Sequence, residues 1–178
     1  MKIYYDTEFL EDGETIALIS IGMVAEDGRE YYAVSAEMPV RRIRKSQWLM
    51  DNVVRGLPQF HGDERNHHSP RMLFNPYDPA VKPKSIIADE VRDFILAAGP
   101  DVELWAWYAA YDHVALAQLF GRMIDLPDGV PMWTNDLRQE VHRLGNPALP
   151  EQESGVHNAL ADARHNLVMA RHLAEAAR

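Results

Sequence analysis

The stretch from Lys2 to Ala36 constrains the fold of this chain most. Residues 2–9, K-I-Y-Y-D-T-E-F, join aromatic and β-branched residues to two acids and predict a strand. Residues 14–26, E-T-I-A-L-I-S-I-G-M-V-A-E, are apolar almost throughout, which predicts a second strand covered on both faces. An Asp-Gly pair at Asp27 and Gly28 then leads into R-E-Y-Y-A-V-S-A, a third strand, and Glu11-Asp12-Gly13 has the same character ahead of the second. Asp-Gly between apolar runs closes hairpins, because the turn needs residues that tolerate positive φ. Three sequential antiparallel strands are the expected start of the fold.

Beyond Pro39 the apolar period changes from two to that of a helix. Trp48, Leu49, Val53 and Leu57 predict a helix over 46–57, with Trp48 as a core residue. Ile86, Ile87, Val91, Phe94 and Ile95 predict another over 85–98, stopped by Gly99-Pro100. Residues 102–108, V-E-L-W-A-W-Y, read as a buried strand in which Trp105 and Trp107 belong to the core. A helix from about Asp112 to Ile124, a short strand at Met132–Asn135 and a long final helix follow, the last with Leu160, Ala163, Leu167, Ala170 and Leu173 facing inward. The expected fold class is α/β: a mixed five-stranded sheet, three antiparallel strands and then alternating helix and strand, flanked by helices. Residues 58–83 carry proline and polar residues without any period and predict a long irregular loop. Such a loop serves as a substrate flap, an oligomer contact or an ordered surface excursion. The 178 residues suit one domain.

Chemistry concentrates in three short stretches. Asp6 and Glu8 lie two apart on a strand, so both project from one face. A lone D-x-E is common at solvated strand ends, but this one closes a strand expected at the centre of a sheet. Asp112 follows the buried strand and opens a helix, where an aspartate most often serves as N-cap. In H-N-A-L-A-D, His157 enters the last helix and Asp162 falls near its first turn. Singly, these would be a loop histidine and an ordinary first-turn acid. Brought together, four carboxylates cannot all stay ionised without cations, since like charges raise one another's pKa. That demand is characteristic of a two-metal phosphoryl-transfer site.

Bulk properties narrow the class. With 47% hydrophobic and 25% charged residues, the chain has the composition of an ordinary globular protein. No apolar run approaches the roughly 20 residues needed to cross a bilayer. Cysteine is absent, which excludes disulfides, zinc-thiolate sites and thiol nucleophiles. A cytoplasmic protein without membrane attachment is the expectation. The net charge of −9 argues against tight nonspecific binding to long duplexes, which needs a basic face. It says less about a site that grips one nucleotide end through bound cations, because those cations reverse the local field. His61, His67 and His68 lack the spacing and cysteine partners of a zinc site. The basic run Arg41-Arg42-Ile43-Arg44-Lys45 fits a solvated helix start better than a phosphate guide.

Asp6-Thr7-Glu8, Asp112 within Y-A-A-Y-D-H-V-A-L, and His157 to Asp162 occur in the order of one known family. The chain resembles the DEDDh-type 3′–5′ exonucleases, which share the ribonuclease H-like fold and include proofreading exonucleases, oligoribonuclease and ribonuclease T. It is most similar to the small actinobacterial 3′–5′ exoribonucleases, over nearly its whole length. Asn158 stands where the tyrosine subclass would place its base, so the resemblance implies the histidine subclass. It implies that Asp6, Glu8, Asp112 and Asp162 hold two Mg²⁺ or Mn²⁺ ions and that His157 is the general base. It implies hydrolysis of single-stranded RNA, or single-stranded DNA, from the 3′ end to nucleoside 5′-monophosphates, by a homodimer. Thr7, Phe9, Leu10 and Tyr108 are the expected substrate contacts. Three positions depart from the family pattern: Phe9 and Leu10 replace small residues, and Tyr108 stands where Asn or His is frequent. The competing readings are a non-catalytic nucleic-acid-binding module and a phosphodiesterase acting on DNA, short oligonucleotides or small nucleotides.

Overall fold

The computed structural model describes residues 1–59 and 73–177. The histidines of the expected 58–83 loop lie outside the described residues. Strands β1 (Lys2–Glu11), β2 (Ile16–Ala25) and β3 (Glu30–Ser35) form the antiparallel meander that the Asp-Gly turns predict. Three short strands complete the sheet: β4 (Val81–Lys82), β5 (Glu103–Ala106) and β6 (Asn135–Asp136). The order is β4-β3-β2-β1-β5-β6, with β4, β5 and β6 parallel to their neighbours. The sheet is therefore mixed, as expected, but has six strands among the described residues instead of five. The additional one, β4, is a dipeptide preceding Pro83, and nothing in its own pattern marks it. Pairing with Val34 and Ser35 of β3 creates it.

The helices depart further from their expected bounds. After α1 (Val40–Ile43), the helix predicted over 46–57 divides into α2 (Gln47–Asn52) and a 3₁₀ turn at Val54–Gly56. Helix α3 (Lys84–Leu96) agrees closely with expectation. Helix α4 begins earlier and ends sooner than predicted, at Ala110–Ala117, with a separate 3₁₀ turn at Met123–Asp125. Helices α5 (Leu137–Arg143) and α6 (Ala159–Ala176) close the fold.

Period-two alternation along β1 divides the core between the two faces of the sheet. Ile3 and Tyr5 join Ile21, Met23 and Leu104 beneath Ile87, Val91 and Ile95 of α3 and Leu116 of α4. Tyr4, on the opposite face, packs with Leu137 and Val141 of α5 and Met169 and Leu173 of α6. Trp105 and Trp107 pack partly buried against this second cluster. A third cluster around Ile19 and Val34 takes in Leu10, Ile43, Leu49, Val53 and Leu57. Trp48 does not belong to it. Leu49 and Val53 define the buried stripe of α2, and one residue earlier the side chain points about 100° away, leaving Trp48 54% exposed. Among the described residues no helix is long and apolar enough to cross a membrane.

Helix α6 is held against the sheet by backbone proximity. A Cβ built on Gly22 would lie 2.3 Å from the Leu160 nitrogen and 2.4 Å from the Ala159 carbonyl, so only glycine fits there. Gly22 is paired with Asp6 across β1 and β2. Two turns further along α6, the buried Asn166 amide donates to the Tyr5 carbonyl at 3.0 Å. The first turns of α6 are thereby set directly over the end of β1 that carries the acids.

Candidate active site

Asp6 and Glu8 occupy alternate positions on β1, immediately before a register shift between Glu8 and Phe9. Such an irregularity re-aims the side chains that follow it. Asp112 lies within the first turn of α4 and does not cap it; the N-cap is Ala109, without a side-chain bond. The Asp112 carboxylate instead accepts from the Thr7 backbone N–H at 2.8 Å and the Thr7 hydroxyl at 2.7 Å. Thr7 is itself buried, so this residue of the motif latches α4 to β1 between the two acids. Thr7, expected as a substrate contact, also lines the cavity that holds the acids.

His157 precedes α6 in a left-handed conformation, φ +66°, which turns the chain sharply into the helix. Asn158 caps that helix, accepting from the Ala161 N–H at 3.1 Å, and its amide donates to the Gly56 carbonyl at 3.2 Å. Asp162 follows in the first turn, as predicted. It accepts from the His157 N–H at 3.0 Å and from the Gln152 amide at 2.7 Å. The histidine ring meets the indole of Trp48 edge to face, with centroids 4.8 Å apart.

These elements bring one ligating atom each of Glu8, His157 and Asp162 within 4.8 Å of one another. All five residues predicted for the site line a single cavity of about 280 Å³, together with Thr7, Phe9, Trp48, Trp107, Tyr108 and Tyr111. Phe9 stacks on Tyr111 with ring centroids 5.8 Å apart and planes 7° from parallel. Tyr108 is exposed and held at φ +54°. Leu10 sits in the core and lines a neighbouring groove instead of the acid cavity.

The electrostatics are those of an acid cluster short of positive charge. Burial, then Asp112, Glu8 and Asp162, push the Asp6 carboxyl well above its usual range. Burial, then Asp162 and Asp112, raise Glu8 to about 8. Asp112 rises to about 6 through burial, an effect moderated by the two Thr7 hydrogen bonds. Asp162 is raised by burial and partly relieved by its Gln152 and His157 donors. Without a counter-charge the balance in all four shifts toward the protonated form, and Glu8 favours it at neutral pH. Divalent cations would reverse that preference, and an all-carboxylate oxygen set suits hard ions such as Mg²⁺ or Mn²⁺. The carboxylates lining the cavity therefore suit a hard divalent cation, and Glu8, His157 and Asp162 bring ligating atoms close enough together to hold one.

Residues 67–174 match the family described as the 3′–5′ exoribonuclease Rv2179c-like domain. The chain belongs to this family. Two relatives from Mycobacterium tuberculosis, 3′–5′ exoribonuclease Rv2179c of strain H37Rv and 3′–5′ exoribonuclease MT2234.1 of strain CDC 1551, are each 44% identical over 168 residues. The matched region covers 94% of this chain and 89% of each relative. The Rv2179c-like segment contains Asp112, His157 and Asp162, while Asp6 and Glu8 come from β1 upstream of it.

Several residues of this Rv2179c-like site escaped sequence reasoning. Trp48 reads as a core residue because it falls with Leu49, Val53 and Leu57 in a stretch of helical spacing, yet it lines the site. Tyr111 and Gln152 carry no local signal, since each acts on a residue brought near only by folding. Gly22 did carry one: an isolated glycine inside an apolar strand marks close backbone approach.

Proposed function

We propose that the protein is a 3′–5′ exoribonuclease of the DEDDh type, releasing nucleoside 5′-monophosphates from the 3′ end of single-stranded RNA. The observation that carries this reading is the approach of Glu8, His157 and Asp162 to within 4.8 Å of one another, in the cavity that also holds Asp6 and Asp112. Asp6, Glu8, Asp112 and Asp162 would hold two Mg²⁺ or Mn²⁺ ions. When bound, such ions supply stabilisation for the attacking and leaving oxygens of an in-line displacement. His157 takes the proton of the attacking water, a role matched to an imidazole near neutral pH. Trp48 packed against its ring and Asp162 accepting from its backbone N–H restrict where that ring points. Phe9, Tyr111 and Trp48 offer faces to the terminal base, and stacking of this kind is tolerant of base identity. Preference for RNA rests on the family. Homodimeric assembly and a cytoplasmic setting belong to the same reading, the first on resemblance to the smaller exonucleases.

The test is a 5′-labelled single-stranded RNA incubated with the protein and Mg²⁺ or Mn²⁺, beside Asp6→Ala and His157→Ala. The expected result is a metal-dependent ladder shortening from the 3′ end that both variants lose. A matching DNA lane reads sugar preference. Cleavage of dinucleotides alone would make the protein a short-oligonucleotide phosphodiesterase, and no cleavage with either ion would favour a non-catalytic binding module.

A further inference from the structure

Beside the acid cavity lies a second, larger groove of about 510 Å³. Phe9 and Trp48 line both, so the two spaces share an aromatic boundary. Leu10 and Leu49 contribute apolar surface to the second groove, and Arg42 and Lys45 line it with them. These cations come from the basic run that sequence reasoning assigned to a solvated helix start. Glu11 and Asp12 also line the groove: Asp12 is engaged by the Arg42 guanidinium and by the N–H groups of Glu14 and Thr15, and Glu11 accepts from the Gly13 N–H, so Lys45 is the cation left for a phosphate and Glu11 the acid it must outweigh. Among the described residues Lys45 has no ion-pair partner, and it is exposed. In a chain of net charge −9, an unneutralised lysine one aromatic step from a cluster of acids is a specific attraction for phosphate.

We propose that this groove seats the nucleotide immediately 5′ of the one being released, with Phe9 and Trp48 against its base and Lys45, flanked by Arg42, against its 5′ phosphate. The inference rests on the exoribonuclease reading and extends it. A 3′-terminal nucleotide at the acids leaves the rest of the strand to run outward in the 5′ direction. The shared aromatic wall continues base stacking from one space to the next. The cations then meet the first backbone phosphate beyond the scissile one. A dinucleoside monophosphate has only the scissile phosphate, whereas a trinucleotide has one more at the position Lys45 would contact. The groove therefore makes the protein discriminate by length at the step from two to three nucleotides.

The experiment compares kcat/KM on a dinucleoside monophosphate and on the trinucleotide of the same bases, for wild type, Lys45→Glu, Lys45→Ala and Lys45→Arg. Binding of the same two labelled oligonucleotides is measured in parallel without divalent ions. The expected result is that Lys45→Glu lowers the trinucleotide-to-dinucleotide preference about tenfold, through KM. Lys45→Ala should lower it less, Lys45→Arg should restore it, and added salt should shrink the difference, as for any phosphate contact. An unaltered preference in Lys45→Glu would overturn the proposal, as would equal loss on both substrates. If wild type binds the trinucleotide more tightly in a Lys45-dependent way yet cleaves neither, the exoribonuclease reading fails while the groove stands.

Discussion

Replacing Gly22 with alanine should separate the two halves of the site. The Cβ it adds would fall 2.3–2.4 Å from the backbone of Ala159 and Leu160, where ordinary contact begins at 3.4 Å. Backbone cannot rotate away as a side-chain tip does, so α6 or β2 must yield by about 1 Å. Gly22 is paired with Asp6, and the displaced turn lies between His157 and Asp162. The movement therefore separates Asp6 and Glu8 from His157 and Asp162, the groups that act together in the proposed mechanism. Overpacking of this kind costs ~1–3 kcal/mol, which for a chain of this size lowers Tm by ~2–12 °C. A misplacement of about 1 Å in a catalytic constellation costs on the order of 100-fold in turnover. The assay is kcat and KM on labelled RNA well below the variant's Tm, with circular dichroism to show that it is folded. A variant that loses Tm but retains wild-type kcat would refute the coupling of α6 placement to catalysis. Unaltered Tm would refute the close approach itself.

Three further outcomes follow from the site. His157→Ala should reduce turnover by ~10²–10⁴-fold while Mn²⁺ binding, followed by calorimetry, is largely retained; Asp6→Ala should lose both, and a His157→Ala protein with normal kcat would remove the general-base role. Thr7→Val keeps the backbone donor to Asp112 but deletes the hydroxyl donor, so it should cost ~1–3 kcal/mol in denaturant unfolding and reduce kcat; a neutral result would mean that the hydroxyl is not needed to hold Asp112. The metal-free protein should lose stability as pH rises. Glu8 titrates near 4.5 when unfolded and at about 8 when folded, so the folded state holds the extra proton in that window. Its contribution is complete below pH 4.5 and lost as pH approaches about 8, by up to ~5 kcal/mol at ~1.4 kcal/mol per pH unit. Tm measured against pH in EDTA should fall across that range; Glu8→Gln or saturating Mn²⁺ should flatten the slope, and an equal slope in Glu8→Gln would reject the assignment.

What the amino-acid sequence determined by itself is whatever depends on near neighbours. Asp27-Gly28 closes a hairpin because the turn conformation is a property of those two residues. Asp6 and Glu8 share a face because strand side chains alternate, and Asp162 falls in the first turn of α6 because Asn158 caps that helix. The order of Asp6, Glu8, Asp112, His157 and Asp162 along the chain is what carries the resemblance to the exonuclease family. Other features exist only once distant segments meet. Val81–Lys82 is a strand because β3 offers it an edge, and Trp48 is exposed because the buried stripe of α2 runs through Leu49. Asp112 binds Thr7 across 105 positions of chain instead of capping its own helix. The packing of α6 on Gly22 joins segments well over a hundred residues apart. Short-range conformational preference names the participants; only tertiary packing, which acts without regard to separation along the chain, sets the distances between them.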